Sequence, residues 1–95
     1  MIQFTIVWSK DAIDALAEIW LSAADRAAVT AASSEIDAEL TVDPSNKGWA
    51  MAEGLRGLLR LPLKVIFIVR EEDRLVEVVS VRAEQEYGAN GEAPQ

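Results

Sequence analysis

The sequence predicts an α+β domain of order β-α-α-β-β-β, an antiparallel sheet with an N-terminal helix hairpin packed on one face. Three observations carry that prediction. The opening residues alternate with period two, residues 10 to about 40 carry apolar side chains at helical spacing, and after a break at Asp43–Gly48 short β-branched runs return. A chain of 95 residues is one domain's worth, long enough to bury roughly 60–65% of its unfolded surface in a single core. The expected division is one domain over 1–82 and a polar tail over 83–95 that offers nothing to pack.

In order, Ile2, Phe4, Ile6 and Trp8 fall on one side of a first strand, with Gln3, Thr5 and Val7 on the other. Ser9 supplies a cap oxygen for a helix over 10–22, whose expected inward stripe is Ile13, Leu16, Ala17 and Trp20. Asp11 and Asp14 suit its positive end. Asp25 or Ser22 caps a second helix with the stripe Val29, Ala32, Ile36 and Leu40. Almost nothing separates the two helices, so they pair as a hairpin. The expected core is Ile13, Leu16, Trp20, Val29, Ile36 and Leu40 against the sheet.

After Asp43-Pro44-Ser45-Asn46-Lys47-Gly48, strands are expected at Leu55–Leu61, at Val65–Val69 and at Leu75–Val81, with turns at Leu61-Pro62-Leu63 and Glu71–Arg74. Val65–Val69 is apolar on both faces and reads as a central strand. A three-residue turn at Leu61–Leu63 would set Arg60 opposite Lys64 and Phe67 opposite Gly57. Arg56, Arg60 and Lys64 would then share the outer face, leaving the helix side apolar. A one-residue slip would turn the arginines toward the helices at a prohibitive desolvation cost.

Composition excludes several chemistries. With no cysteine and no histidine there is no disulfide, no Cys or His metal site and no Ser-His or Cys-His nucleophile pair. No acidic constellation resembles a hard-metal site, so neither metal nor cofactor is expected. Gly54-Leu55-Arg56-Gly57 lacks the spacing of a phosphate loop. The N-terminus lacks the basic and apolar regions of a signal peptide, and no run spans a bilayer, which predicts a cytoplasmic protein without membrane contact.

The net charge of −7 hides a split: residues 1–46 carry 8 acidic and 2 basic side chains, residues 47–82 carry 5 and 7. An anion site, if present, therefore belongs to the later strands. Arg56, Arg60 and Lys64 together have the chemistry of phosphate recognition, a planar fork and a compact charge. The simpler reading of their spacing is that they are solvated charges that discourage edge aggregation. Arg82 joins them on the outer face only if the last strand ends or bulges before it, because alternation from Glu77 puts it on the helix side. Tyr87 either completes the ring or packs elsewhere. Trp8, Trp20 and Trp49 read as core and rim.

The stretches Phe4–Ser9, Asp43-Pro44, Gly54–Leu58, Leu63–Val69 and Val76–Arg82 together resemble the RelE/ParE superfamily of type II toxin–antitoxin toxins, often labelled plasmid stabilisation proteins. The resemblance spans about residues 2–82. It implies a bacterial toxin neutralised by a short antitoxin that wraps it. In the RelE-like half the activity would be ribosome-dependent, metal-independent mRNA cleavage: a ribose 2′-hydroxyl attacks the adjacent phosphate and leaves a 2′,3′-cyclic phosphate. Lys64 would then stand for the basic residue of the family's central strand, with Phe67 as its last aromatic. Arg56 and Arg60 would stand for the cations of the preceding strand, Arg82 for the arginine after the last strand and Tyr87 for the terminal tyrosine. In the ParE-like half the target would be DNA gyrase, bound without chemistry. The acidic balance points toward the protein-binding half or a catalytically silent member. A plain α+β domain that forms a homodimer through a sheet edge is the third reading.

Overall fold

In the computed structural model, which describes residues 2–84, two helices pack on one face of a five-stranded sheet. The elements are β1 (Thr5–Trp8), α1 (Lys10–Ser22), α2 (Arg26–Thr41), β2 (Trp49–Ala50), β3 (Leu55–Arg60), β4 (Leu63–Arg70) and β5 (Leu75–Ala83). The sheet order is β1-β5-β4-β3-β2. The β-α-α-β-β-β arrangement is thus present, with the two-residue β2 added at one edge. The later strands are antiparallel, whereas β1 lies parallel to β5 at the other edge, making the sheet mixed. The parallel pair is possible because the whole helix hairpin and meander intervene between those two strands.

Both helices start on the side chains that local chemistry favours. Ser9 Oγ accepts from Ala12 N at 3.1 Å, and Asp25 Oδ1 accepts from Ala28 N at 3.1 Å, so Asp25 rather than Ser22 caps α2. At the far end of α2, Lys47 Nζ donates to the carbonyls of Glu39 (2.9 Å) and Val42 (2.7 Å), and the Glu39 carbonyl also accepts from the capping Val42 N at 3.4 Å. The first strand is shorter than expected. Phe4 N donates to Thr41 O at 2.9 Å, so the chain before Thr5 is tied to the end of α2, and Ile2 is exposed.

One core forms between helices and sheet. Ile36, Leu40, Leu63, Val65, Phe67, Val76 and Val78 have no exposed surface, and Val29, Ala32 and Leu58 have almost none. The α2 stripe matches the sequence expectation residue for residue. The α1 stripe does not. Ala12 is buried and Ala15, Leu16, Ile19 and Ala23 pack against the core, while Ile13 is 54% exposed and Trp20 39%. The helix is rotated because small alanines let it sit close to β5, and the larger Ile13 and Trp20 are left outside.

The β3–β4 register is also corrected. Arg60 pairs with Leu63 and Leu59 with Lys64, so the turn has two residues, Leu61 and Pro62, joined by a cis peptide. Phe67 consequently lies opposite Arg56, and Gly57 opposite Ile66. The slip that looked prohibitive is the observed pairing. It puts Leu58, 2% exposed, into the core and leaves Leu59 outside at 40%.

β5 runs two residues beyond its expected end at Val81 and carries a bulge: Ile66 pairs with Ser80 and Phe67 with Val78, leaving Val79 as the extra residue. Tyr87 and the rest of 85–95 lie outside the described residues. No helix among the described residues is long and apolar enough to cross a membrane.

Candidate functional site

Paired residues on neighbouring strands point to one face of the sheet, so the registers sort every candidate cation. Arg56, Leu58 and Arg60 share the helix side with Phe67, Val65 and Leu63. Lys64, Ile66 and Ile68 share the open side with Leu59, Gly57 and Leu55. The expected gathering of Arg56, Arg60 and Lys64 on one outer face is therefore not found. The β4 half of the assignment holds and the β3 half is inverted.

The two arginines on the helix side find partners near the end of α2, where β3 lies close to the sheet edge. Arg60 Nε donates to Glu39 Oε2 at 2.8 Å, and its Nη2 contacts the same oxygen. Arg56 donates through Nε (3.0 Å) and Nη2 (2.9 Å) to the backbone carbonyl of Lys47. These bonds offset the desolvation that alternation alone could not foresee. They also occupy the guanidinium groups away from the open face.

The bulge at Val79 meets the condition set for Arg82. Val81 turns into the core at 5% exposure, and Arg82 turns outward directly opposite Lys64. Neither side chain forms a salt bridge among the described residues. Two like charges side by side on a sheet repel one another, and a bound anion relieves that repulsion. At the other end of this face Arg70 is paired with Glu77 at 3.4 Å, and the half-buried Ile66 and Ile68 lie between the two ends.

Trp49 belongs to this face, which the sequence reading did not anticipate. It pairs with Gly57, and a Cβ on Gly57 would lie 2.5 Å from the indole, so the ring covers a position that only glycine leaves open. Gly48 before it has φ +64°, and a Cβ there would fall 1.7 Å from Gly57 O. Lys64 Nζ stands 5.9 Å from the Trp49 ring centroid. The glycine within a strand was the available signal, since it marks close approach by another group.

A second feature lies across the molecule, between the outer faces of α1 and α2. Ile13, Leu16, Ala17, Trp20 and Leu21 line an apolar groove of about 470 Å³ against Val29, Thr30 and Ser33. Trp20 is held rigidly there. Its Nε1 donates to Thr30 Oγ1 at 3.2 Å, and the Arg26 guanidinium lies 4.6 Å from its ring centroid while donating to the carbonyls of Trp20 and Leu21. Fixed, half-exposed tryptophans are the side chains that dominate binding at interfaces.

Among the described residues no group of three acidic side chains is placed to hold a metal ion. No protein-family model and no curated protein matches the sequence. Solved structures do match the fold. The RelBE2 toxin–antitoxin complex of Mycobacterium tuberculosis contains a chain that superposes with a TM-score of 0.75 at 15% identity, covering 90% of this chain and 97% of that one. A chain of the chromosomal ParDE toxin–antitoxin system of P. aeruginosa gives 0.61 at 16% identity over 87% of this chain and 98% of its own. A mutant of the E. coli RelE toxin in its free state gives 0.57 at 19% identity, covering 93% and 90%. The superpositions cover at least 87% of this chain and at least 90% of each of the other three, and the chain has the fold of these RelE and ParE toxin structures.

Proposed function

We propose that this chain is the toxin of a type II toxin–antitoxin module, held by a short antitoxin, and that it acts by binding a protein target rather than by cutting mRNA. The observation that carries the choice of mode is the engagement of Arg56 and Arg60 on the helix side. A five-membered ring of Arg56, Arg60, Lys64, Arg82 and Tyr87 would need both arginines on the open face. With a net charge of −7, attraction to a polyanionic ribosome is weak as well. The α1–α2 groove, apolar and anchored by a fixed Trp20, suits the apolar face of an antitoxin helix.

A ribonuclease reading rests on one specific observation, Lys64 and Arg82 standing opposite each other beside Trp49 with no salt bridge among the described residues. In that reading the two cations stabilise the charge that builds on the phosphate as the 2′-hydroxyl attacks. Induced expression separates the two. Growth arrest with intact transcripts, inhibition of DNA gyrase supercoiling by the purified protein, and rescue by the antitoxin support protein binding. Ribosome-dependent transcript cleavage, lost in Lys64→Ala with Arg82→Ala, overturns it in favour of the ribonuclease.

A further inference from the structure

A larger groove of about 890 Å³ lies on the opposite flank of α1 from the Trp20 groove. It forms where the end of α1, the Ala23–Asp25 connection, the Leu61-Pro62 turn and the end of β5 meet. Its walls are apolar, with Ile19, Ala23, Val29, Leu61 and Pro62 among them. Leu61 is 44% exposed at its mouth, apolar surface that burial against a partner would remove from water. Two of the walls are fastened to each other, because Glu84 N donates to Pro62 O at 2.7 Å. The cleft is therefore part of the folded frame.

Three carboxylates edge this groove, Glu18, Asp25 and Glu84, and among the described residues no lysine or arginine lines it. Asp25 uses Oδ1 to cap α2. Glu18 and Glu84 form no salt bridge among the described residues. The nearest basic side chain in sequence, Arg26, is turned onto Trp20 and the carbonyls of α1.

We infer that this groove binds a segment of a partner protein that presents an aliphatic side chain flanked by lysine or arginine. The apolar walls take the aliphatic group, and the carboxylate rim takes the cation without a competing charge of the protein's own. The volume holds several side chains, which a single cation would not fill. Rim charges of one sign also make binding fall as salt rises. The site shares no lining residue with the Lys64–Arg82 face and only the buried Val29 with the Trp20 groove, so the inference stands without the toxin reading.

The test titrates two synthetic amphipathic peptides, one of leucine and lysine and one of leucine and glutamate, into the isotope-labelled full chain while amide resonances are followed. The expected result is that the lysine peptide shifts Ile19, Ala23, Leu61 and Glu84, and that added salt weakens it. Glu18→Gln with Glu84→Gln is expected to weaken binding about tenfold. Leu61→Ser is expected to weaken the salt-independent part. Both variants alter side chains at the rim or mouth, and an unchanged amide spectrum away from the groove verifies their fold. The inference is overturned if neither peptide binds, if the glutamate peptide binds equally well, or if the shifts fall only on Ile13, Trp20 and Leu21.

Discussion

Arg60 lays its guanidinium on the Glu39 carboxylate, 2.8 Å from Nε to Oε2, on the face of the sheet that the helices cover. On the next two strands, Lys64 and Arg82 stand opposite each other on the uncovered face, and neither forms a salt bridge among the described residues. Cations that lie close together in sequence thus have different physical roles, and their substitution should separate those roles.

Arg60→Ala leaves the Glu39 carboxylate partly buried and unpaired, and should lower stability by about 1–2 kcal/mol in urea unfolding. Lys64→Ala removes a side chain with no ion pair among the described residues and should change stability by no more than about 0.5 kcal/mol. Adding Glu39→Gln to Arg60→Ala should recover part of the loss. Equal effects of the two single substitutions would contradict the assigned faces.

Gly48 and Gly54 both have positive φ, +64° and +81°, but different surroundings. Alanine at Gly54 meets open space, so it should cost only the backbone strain, about 1–2 kcal/mol. Alanine at Gly48 adds a collision with Gly57 O and must separate β2 from β3. Thermal unfolding should therefore rank Gly48→Ala clearly below Gly54→Ala, with greater exposure of Trp49 in the former.

Deleting Val79 removes the bulge of β5. Val78 would then be followed directly by Ser80, so the pairs Phe67–Val78 and Ile66–Ser80 close into a regular ladder with Val81 still on the helix side and Arg82 still on the open side. We expect the deletion to fold and to cost no more than about 2 kcal/mol, and Val79→Ala, which also keeps the register, to be mild. Circular dichroism and urea titration check both, and failure of the deletion to fold would contradict Val79 as the extra residue.

Ile13 and Ile36 both looked like core positions. Ile36→Ala should cost about 2–5 kcal/mol, because the side chain is fully enclosed. Ile13→Ser should stay within about 0.5 kcal/mol. On the proposed function, Ile13→Ser with Trp20→Ala should leave a toxin that still arrests growth but escapes its antitoxin. Rescue at the native antitoxin dose would count against that docking surface.

Element order, both helices, the α2 stripe and the buried face of β4 were legible in the sequence. Each depends on periodicity within one segment, and Val29, Ala32, Ile36 and Leu40 have no competing stripe. Ser9 as a cap was legible for the same local reason. The facing of β3 was not, because Leu55, Leu58, Leu59 and Leu61 put leucine on both sides of the alternation and either register buries some. The two-residue turn at Leu61-Pro62 decides it, together with Glu39 and the Lys47 carbonyl, which accept the inward arginines. The direction of Arg82 likewise depends on a bulge selected by pairing with β4. The outward placement of Ile13 and Trp20 follows from how closely alanines let α1 approach β5. These are contacts between segments distant in the chain, and the period of a single segment carries no information about what it will meet.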